Sequence, residues 1–485
     1  MKKTIFLALL LISYSGFAQT SVKTQAEKPG ISVKKITERF LKTPSVKNAV
    51  TGIHIKALGK KKNIVCHNEN KLMIPASTMK TLYAFYALET FGNDFRWETS
   101  MVYSGAIENG VLHGHLILRA GGDPAFGGQI DTKDYKTLIA EMINALKNKG
   151  ISEIEGNFIM QLPGNRYPAH GSWPIEDIGN YYGTGAWGFN FNDNLYKLFI
   201  RTGKPGEPLQ IVRSEPEIPG LKISVRSTTA PPGADDTSYL YADPTSYTQT
   251  LIGQIPQTKS LYVIKGAIPN PPQTFLRILE NEIRNNHIHI NGQVRLSYAY
   301  DYYENEQLLW RHFSPKLIDI VKRTIDKSVN LYSEALARLV IEKNKTSDHY
   351  LNKEEINAYF KSKGFRLIDL EDGCGLAPDN LIAPVEFTRF FDDMVRKKGT
   401  DYVLDILSRG GKDGYAQYFL KNSPVQSRVW LKSGSVSKVM NYVGVFQGLS
   451  GKYYGFAIMV NHFSDKHKTV KKEIEKYLEN LIFKL

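Results

Sequence analysis

Three short clusters along the chain carry residue types that together can transfer an acyl group: Ser77-Thr78-Met79-Lys80, Ser328-Val329-Asn330 and Lys432-Ser433-Gly434. Ser77 and Lys80 are three positions apart, so on a helix they share a face and the amine reaches the hydroxyl. A serine in the first turn of a helix also meets unpaired backbone N–H groups and the positive end of the helix dipole. A lysine buried among apolar groups and near another cation holds its proton weakly and can accept one from serine. Ser328 offers a hydroxyl to relay a proton to a leaving amine. Asn330 offers an amide to bind a substrate carbonyl and to fix Lys80. Lys432 and Ser433 supply a charge and a donor for a carboxylate, while Gly434 permits close approach of a substrate backbone. Each cluster alone has a plainer use. S-x-x-K arises by chance, Ser-Val-Asn caps a helix, and Lys-Ser-Gly makes a turn.

The elements around the clusters suit the chemistry. A mostly apolar stretch opens at Pro75-Ala76-Ser77 and runs to about Thr90, which predicts a buried helix closed by Gly92. Ser328 falls between helices predicted over 315–323 and 330–342, with further helices at 353–362 and 384–397. Lys432 ends a strand predicted over 427–431, followed by strands at 442–446 and 453–460. Near the N-terminus, Val33, Ile36 and Phe40 share one face of a predicted helix, and 53–57 alternates as a strand. Val470, Ile474, Leu478 and Ile482 mark a last helix, basic and moderately amphipathic, expected to pack on the sheet. Residues 96–300 have a different texture, with short strands and Pro-containing turns such as Ala230-Pro231-Pro232-Gly233. So long a stretch is no loop. The reading is an α/β domain formed by 19–95 and 301–485, interrupted by an inserted β-rich region over 96–300 that holds two nested domains.

The whole chain narrows the setting. At 485 residues it exceeds one ordinary core, and its formal charge of +14 favours anionic surfaces such as cell-wall glycans. No nucleic-acid motif or long basic stripe accompanies that charge, which excludes nucleic acid as a partner. Lys2 and Lys3 precede an apolar run over 5–12, and Gly16-Phe17-Ala18 is a small-x-small cleavage site. Residues 1–18 therefore read as an export signal cleaved after Ala18, giving a periplasmic or secreted protein. No later stretch is apolar enough to cross a bilayer, so membrane contact is peripheral at most. Cys66 and Cys374 are the two cysteines, too few for a disulfide framework, and read as free buried thiols. His113-x-His115 and His287-x-His289 read as solvent-facing strand positions. Neither a metal nor another cofactor is expected.

The trio resembles the S-x-x-K, S-x-N and K-T-G signature shared by penicillin-binding proteins and serine β-lactamases. Over nearly the whole mature chain the sequence resembles the D-alanyl-D-alanine carboxypeptidase/endopeptidase family, the class-C low-molecular-mass penicillin-binding proteins. Further stretches carry the likeness: Pro75-Ala76 before Ser77, Gly121-Gly122-Asp123-Pro124, Trp173-Pro174-Ile175-Glu176-Asp177, and Asp372-Gly373-Cys374-Gly375-Leu376 with Asn380 and Pro384. The gap of about 250 residues between Ser77 and Ser328 also resembles this class, whereas class A β-lactamases have a far shorter one. Two positions depart from the pattern: serine at 433 where threonine is commoner, and Cys374 where serine is usual.

The resemblance implies an α+β transpeptidase-like fold with nested insertions, acting on peptidoglycan stem peptides and acylated by β-lactams. By it, Ser77 is the nucleophile and Lys80 its general base. Ser328, Asn330 and Lys432 complete the catalytic set. Lys432 with Ser433 holds the terminal carboxylate beside Gly434, and the N–H groups of Ser77 and Ser435 form the oxyanion hole. It implies further that Asn441 belongs to the substrate-binding set and that Asp177 recognises the amine of the stem-peptide side chain. Gly121 to Pro124 reads as a structural turn. Two other functions stay open at this point: a secreted serine β-lactamase, and a cell-wall or β-lactam-binding module without turnover.

Overall fold

Strands that are apolar on both faces need cover on both sides, and the C-terminal part of the chain supplies them. A computed structural model describes residues 32–162, 164, 169–342 and 352–485. The export signal expected at 1–18 lies outside the described residues. Strands β1 (Val50–Ala57), β2 (Asn63–His67), β3 (Ser408–Arg409), β4 (Val429–Val436), β5 (Val439–Gln447) and β6 (Tyr453–Asn461) form one antiparallel sheet. Their order is β2-β1-β6-β5-β4-β3, so N-terminal and C-terminal segments share one sheet. Flanking it are α1 (Val33–Leu41), α2 (Lys80–Phe91), α3 (Leu317–Lys327), α4 (Asn330–Glu342), α5 (Pro384–Lys398) and α6 (His467–Lys484).

The period-two alternation of the strands sorts these helices. Ile53, Ile55, Leu431, Tyr442, Phe456 and Ile458 face α1 and α6, where Phe40 stacks on Tyr477 with ring centroids 4.5 Å apart. The basic C-terminal helix buries Val470, Ile474, Leu478 and Ile482 on this face. Val443, Val445, Ala457 and Met459 point the other way, against α2, α3, α4 and the aromatic face of α5. Lys432, next to Leu431, thus shares a strand face with Trp430, which packs on the α2 side.

Between α2 and α3 lies the β-rich insertion. Its main sheet runs Val294–Ser297, Phe158–Gln161, Leu116–Arg119, Glu98–Tyr103, Gln307–Phe313. Helices Tyr135–Asn148 and Pro271–Asn285 pack there, and a second group of small sheets spans Leu195–Arg201 to Tyr262–Ala267. One apolar cluster, including Met101, Leu118, Met142, Leu198, Leu251 and Phe275, runs through both groups. Two groups of sheets therefore share a single core. The C-terminal boundary also differs from the expected 300/301: Gln307–Phe313 pairs with Glu98–Tyr103 and belongs to the insertion. Both cysteines are free, as expected, but only Cys374 is buried; Cys66 is exposed on β2.

Candidate active site

The turn that carries Ser77 is built by its neighbours. Ala76 sits at φ +46°, a left-handed conformation that costs a β-carbon-bearing residue on the order of 1–3 kcal/mol. Such a conformation persists only where the surroundings over-determine it. Asn441 Nδ2 donates to the carbonyls of Ile74 (2.8 Å) and Pro75 (3.0 Å), and Thr78 Oγ1 donates to Pro75 (2.7 Å). On the other side β4 presses in at Gly434, where a Cβ would lie 2.6 Å from the Pro75 oxygen and 2.8 Å from the Thr78 nitrogen. The predicted helix from Pro75 accordingly begins as a 3₁₀ turn, Ala76–Met79, before α2. Ser77 is on that turn and Lys80 opens α2.

Lys80 is fully buried, and its Nζ lies within hydrogen-bond distance of Ser77 Oγ (2.7 Å) and donates to the Cys374 carbonyl (2.5 Å). Burial lowers its proton affinity below the ordinary lysine range, while Cys374, Asp372 and Glu334 pull the other way. Ser328 closes α3 in the left-handed region, at φ +55°, which turns its hydroxyl back toward β4. There Lys432 Nζ donates to Ser328 Oγ (2.9 Å) and to the Ser433 carbonyl (2.7 Å). Lys432 is also buried, and burial plus the nearby charge of Lys80 hold it well below its ordinary value. The three clusters thus meet in two linked pairs, Ser77–Lys80 and Ser328–Lys432.

Other expected residues fall around this centre. A cleft of about 840 Å³ is lined by Ser77, Ser328, Asn330, Ser435 and, from the insertion, Asp177 and Tyr182. Asp177 lies on the short helix Ile175–Ile178, and half-burial raises its carboxyl while the Tyr182 hydroxyl tempers the shift. Two expectations need correction. Asn330 donates to the Tyr182 carbonyl (2.7 Å); Lys80 is fixed by Cys374 instead. Asn441 is fully buried away from the cleft, and its oxygen accepts from the Val460 N–H and from Asn461, so it supports the Ser77 turn.

Beneath Lys80 the Asp372-Gly373-Cys374-Gly375-Leu376 stretch wraps around its own aspartate. Asp372 accepts from the N–H groups of Cys374, Gly375, Leu376 and Ala377, from Asn380 Nδ2, and from the Trp173 indole at 2.9 Å. Two distant motifs of the sequence therefore meet at one carboxylate, which ties the insertion to the peptidase-like domain. The Gly121-Gly122-Asp123-Pro124 stretch is a turn, with Asp123 Oδ1 accepting from the Ala125 N–H (2.8 Å). Sequence reasoning passed over Ser333 and Glu334, which contact Gly373 from α4. A signal existed for Glu334, an acid in an otherwise buried helical stripe four positions after Asn330.

The profile of the D-Ala-D-Ala carboxypeptidase 3 (S13) family matches residues 32–481, nearly all of the described chain. The chain belongs to that family. As an S13 protein it is a serine D-Ala-D-Ala carboxypeptidase. It is 24% identical, over 99% of its length and 98% of the relative's, to D-alanyl-D-alanine carboxypeptidase DacB of Haemophilus influenzae. A D-alanyl-D-alanine carboxypeptidase of Actinomadura sp. is 20% identical over 80% of this chain and 69% of its own. In fold, this S13 chain matches penicillin binding protein 4 (dacB) from Haemophilus influenzae with a TM-score of 0.78 at 22% identity, covering 93% of this chain and 99% of that one. The same Haemophilus protein has also been solved in complex with a β-lactam. An α+β penicillin-binding-protein fold with a long insertion is therefore the architecture of this chain.

Proposed function

We propose that this S13 carboxypeptidase trims peptidoglycan stem peptides outside the cytoplasmic membrane through an acyl-enzyme on Ser77. Lys80 takes the proton of Ser77 Oγ as that oxygen attacks the carbonyl of the D-Ala-D-Ala bond. The N–H groups of Ser77 and Ser435 receive the oxyanion, a term worth on the order of 100–1000-fold per donor. Ser328, held by Lys432, gives its proton to the leaving nitrogen and takes in return the one Lys80 received, so D-alanine departs and Lys80 is a free amine again. Water then attacks the ester, gives a proton to Lys80, and Lys80 passes it to Ser77 Oγ as the shortened peptide leaves. Lys432 and Ser433 hold the terminal carboxylate, and Asp177 receives the amine of the stem-peptide side chain from across the cleft. A cross-linked substrate in place of a pentapeptide would make the same chemistry an endopeptidase.

The observation that carries this reading is the 2.7 Å bond between Ser77 Oγ and a fully buried Lys80 that meets a hydroxyl and a carbonyl rather than a carboxylate. An amine so placed is poised as a base, whereas one paired to a carboxylate would keep its proton. Labelling with a fluorescent penicillin tests it. Covalent labelling of the wild type, lost in Ser77→Ala, is expected together with D-alanine release from a pentapeptide. Undiminished labelling of Ser77→Ala would overturn the nucleophile, and rapid penicillin turnover without D-alanine release would favour a β-lactamase. Among the described residues no helix is long and apolar enough to cross a membrane.

A further inference from the structure

Consecutive residues of α4 grip Gly373 on both sides. Ser333 Oγ donates to the Gly373 carbonyl (2.6 Å), and the Gly373 N–H donates to Glu334 Oε1 (2.9 Å). No side chain fits at 373: a Cβ would lie 2.6 Å from Ala337 Cβ and 3.0 Å from Glu334 Cα. The loop therefore rests directly on the helix, and the next residue turns its carbonyl to Lys80. Ser333 and Glu334 are themselves buried, at 0% and 6% exposure, so water does not compete for these bonds. The helix that makes the grip begins at Asn330, two residues beyond Ser328.

The grip matters because of what a lysine base requires. A neutral amine has one lone pair and two N–H bonds on a freely turning carbon. Pinning one N–H on a fixed carbonyl leaves the lone pair to be aimed at Ser77 Oγ. The Cys374 carbonyl is that fixed acceptor, and its own backbone is held by Asp372 through the Cys374 N–H (3.2 Å) and by α4 through Gly373. We propose that Ser333 and Glu334 are positioning residues for Lys80, clamping the Gly373–Cys374 peptide so that the Cys374 carbonyl orients the amine toward Ser77. One helix turn then carries Asn330 at the cleft and sets the base behind it.

Glu334 does this without adding a full charge beneath the base. Its carboxyl is pushed up to about 8, chiefly by burial and then by Asp372, with Cys374, Arg338 and the Gly373 N–H opposing. Tyr83 and Lys80 are the other ionisable groups that feel it. The clamp thus works with a neutral acid, and a neutral amide of the same shape should replace it.

The inference rests on the reading of Lys80 as the base of Ser77, and the test separates the two. Penicillin acylation is resolved into the non-covalent dissociation constant and the acylation rate for wild type, Ser333→Ala, Glu334→Ala and Glu334→Gln. Both alanine variants are expected to lose at least tenfold in acylation rate with the dissociation constant within twofold of wild type. Glu334→Gln, which still accepts from Gly373, is expected to keep its rate within threefold at neutral pH. Either alanine variant acylating at the wild-type rate removes that residue from the clamp. Glu334→Gln falling as far as Glu334→Ala overturns the neutral-acceptor role. Should Glu334→Ala not fold, Ser333→Ala and Glu334→Gln still decide. If the wild type fails to label at Ser77, the reading of the nucleophile fails instead.

Discussion

Lys80 and Lys432 are both buried, and desolvation favours the amine over the ammonium at each. Lys432 is lowered further by Lys80, since two buried cations so placed repel. The sign of the resulting pH dependence follows. With its value depressed, Lys80 holds a free lone pair at lower pH than an ordinary lysine, and loses it as pH falls through that depressed value. Acylation of Ser77 is therefore expected to decline on the acid side, measured as stopped-flow penicillin labelling across a pH series. Lys80→Arg keeps a cation that does not give up its proton, and should slow acylation on the order of 1000-fold. An equal rate in that variant would remove the amine from proton transfer. Cys374 makes a second prediction. Burial, then Asp372 and Glu334, push its thiol well above the ordinary range, so it stays protonated and inert, whereas Cys66 is exposed. Native alkylation should modify Cys66 alone, with Cys374 reacting only after unfolding. Early modification of Cys374 in mass analysis would contradict its enclosure.

The turn that carries Ser77 is strained at Ala76 and held from two sides, by Asn441 and by the bare backbone of Gly434. Gly434→Ala puts a methyl against the Pro75 oxygen and the Thr78 nitrogen, both backbone atoms that cannot swing away. Strand β4 must then back off from the turn. Penicillin acylation is expected to fall at least tenfold, with a thermal midpoint lower by several degrees, since forced overpacking costs about 1–3 kcal/mol. An acylation rate within twofold of wild type would show that the contact does not set the site. Elements of this domain were legible because their signals are local. The stripe of Val33, Ile36 and Phe40 marks α1, and the strands read at 442–446 and 453–460 lie within β5 and β6. What stayed hidden joins residues far apart in sequence. Nothing near Gln307 announces that its strand pairs with Glu98–Tyr103, across about 200 residues of sequence. The resemblance places Asn441 with the substrate-binding residues, yet a strand asparagine can face either way, and its amide donates to the Ile74 and Pro75 carbonyls. The clamp on Gly373 joins positions about 40 apart and left only the odd placement of Glu334 as a trace.

At the scale of the molecule, the insertion is bolted to the catalytic centre rather than carried beside it. The Trp173 indole reaches the buried carboxylate of Asp372, and Asn330 reaches the Tyr182 carbonyl. Tyr332 on α4 donates to Asp193 (2.6 Å), and Arg323 on α3 donates to Gln129 (2.5 Å). The peptidase-like domain supplies Ser77, Lys80, Ser328 and Lys432, and the insertion supplies the far wall of the cleft with Asp177 and Tyr182. This division separates two kinds of ligand. On the proposed reading, a penicillin needs only Ser77, Lys80 and the carboxylate site of Lys432 and Ser433, all on the peptidase-like domain. On the proposed reading, a stem peptide would extend along the cleft and bring its side-chain amine to the opposite wall. Asp177 is half-buried with its carboxyl raised by desolvation, so an arriving ammonium would offset that desolvation cost. Asp177→Asn removes that charge and keeps the shape. D-alanine release from a pentapeptide with a free side-chain amine should lose at least tenfold in kcat/KM, about 1.4 kcal/mol or more of transition-state binding. Penicillin acylation of the same variant should stay within twofold of wild type, and so should hydrolysis of a peptide whose side-chain amine is acetylated. Equal losses on all three ligands would place Asp177 in the fold of the cleft wall and not in recognition.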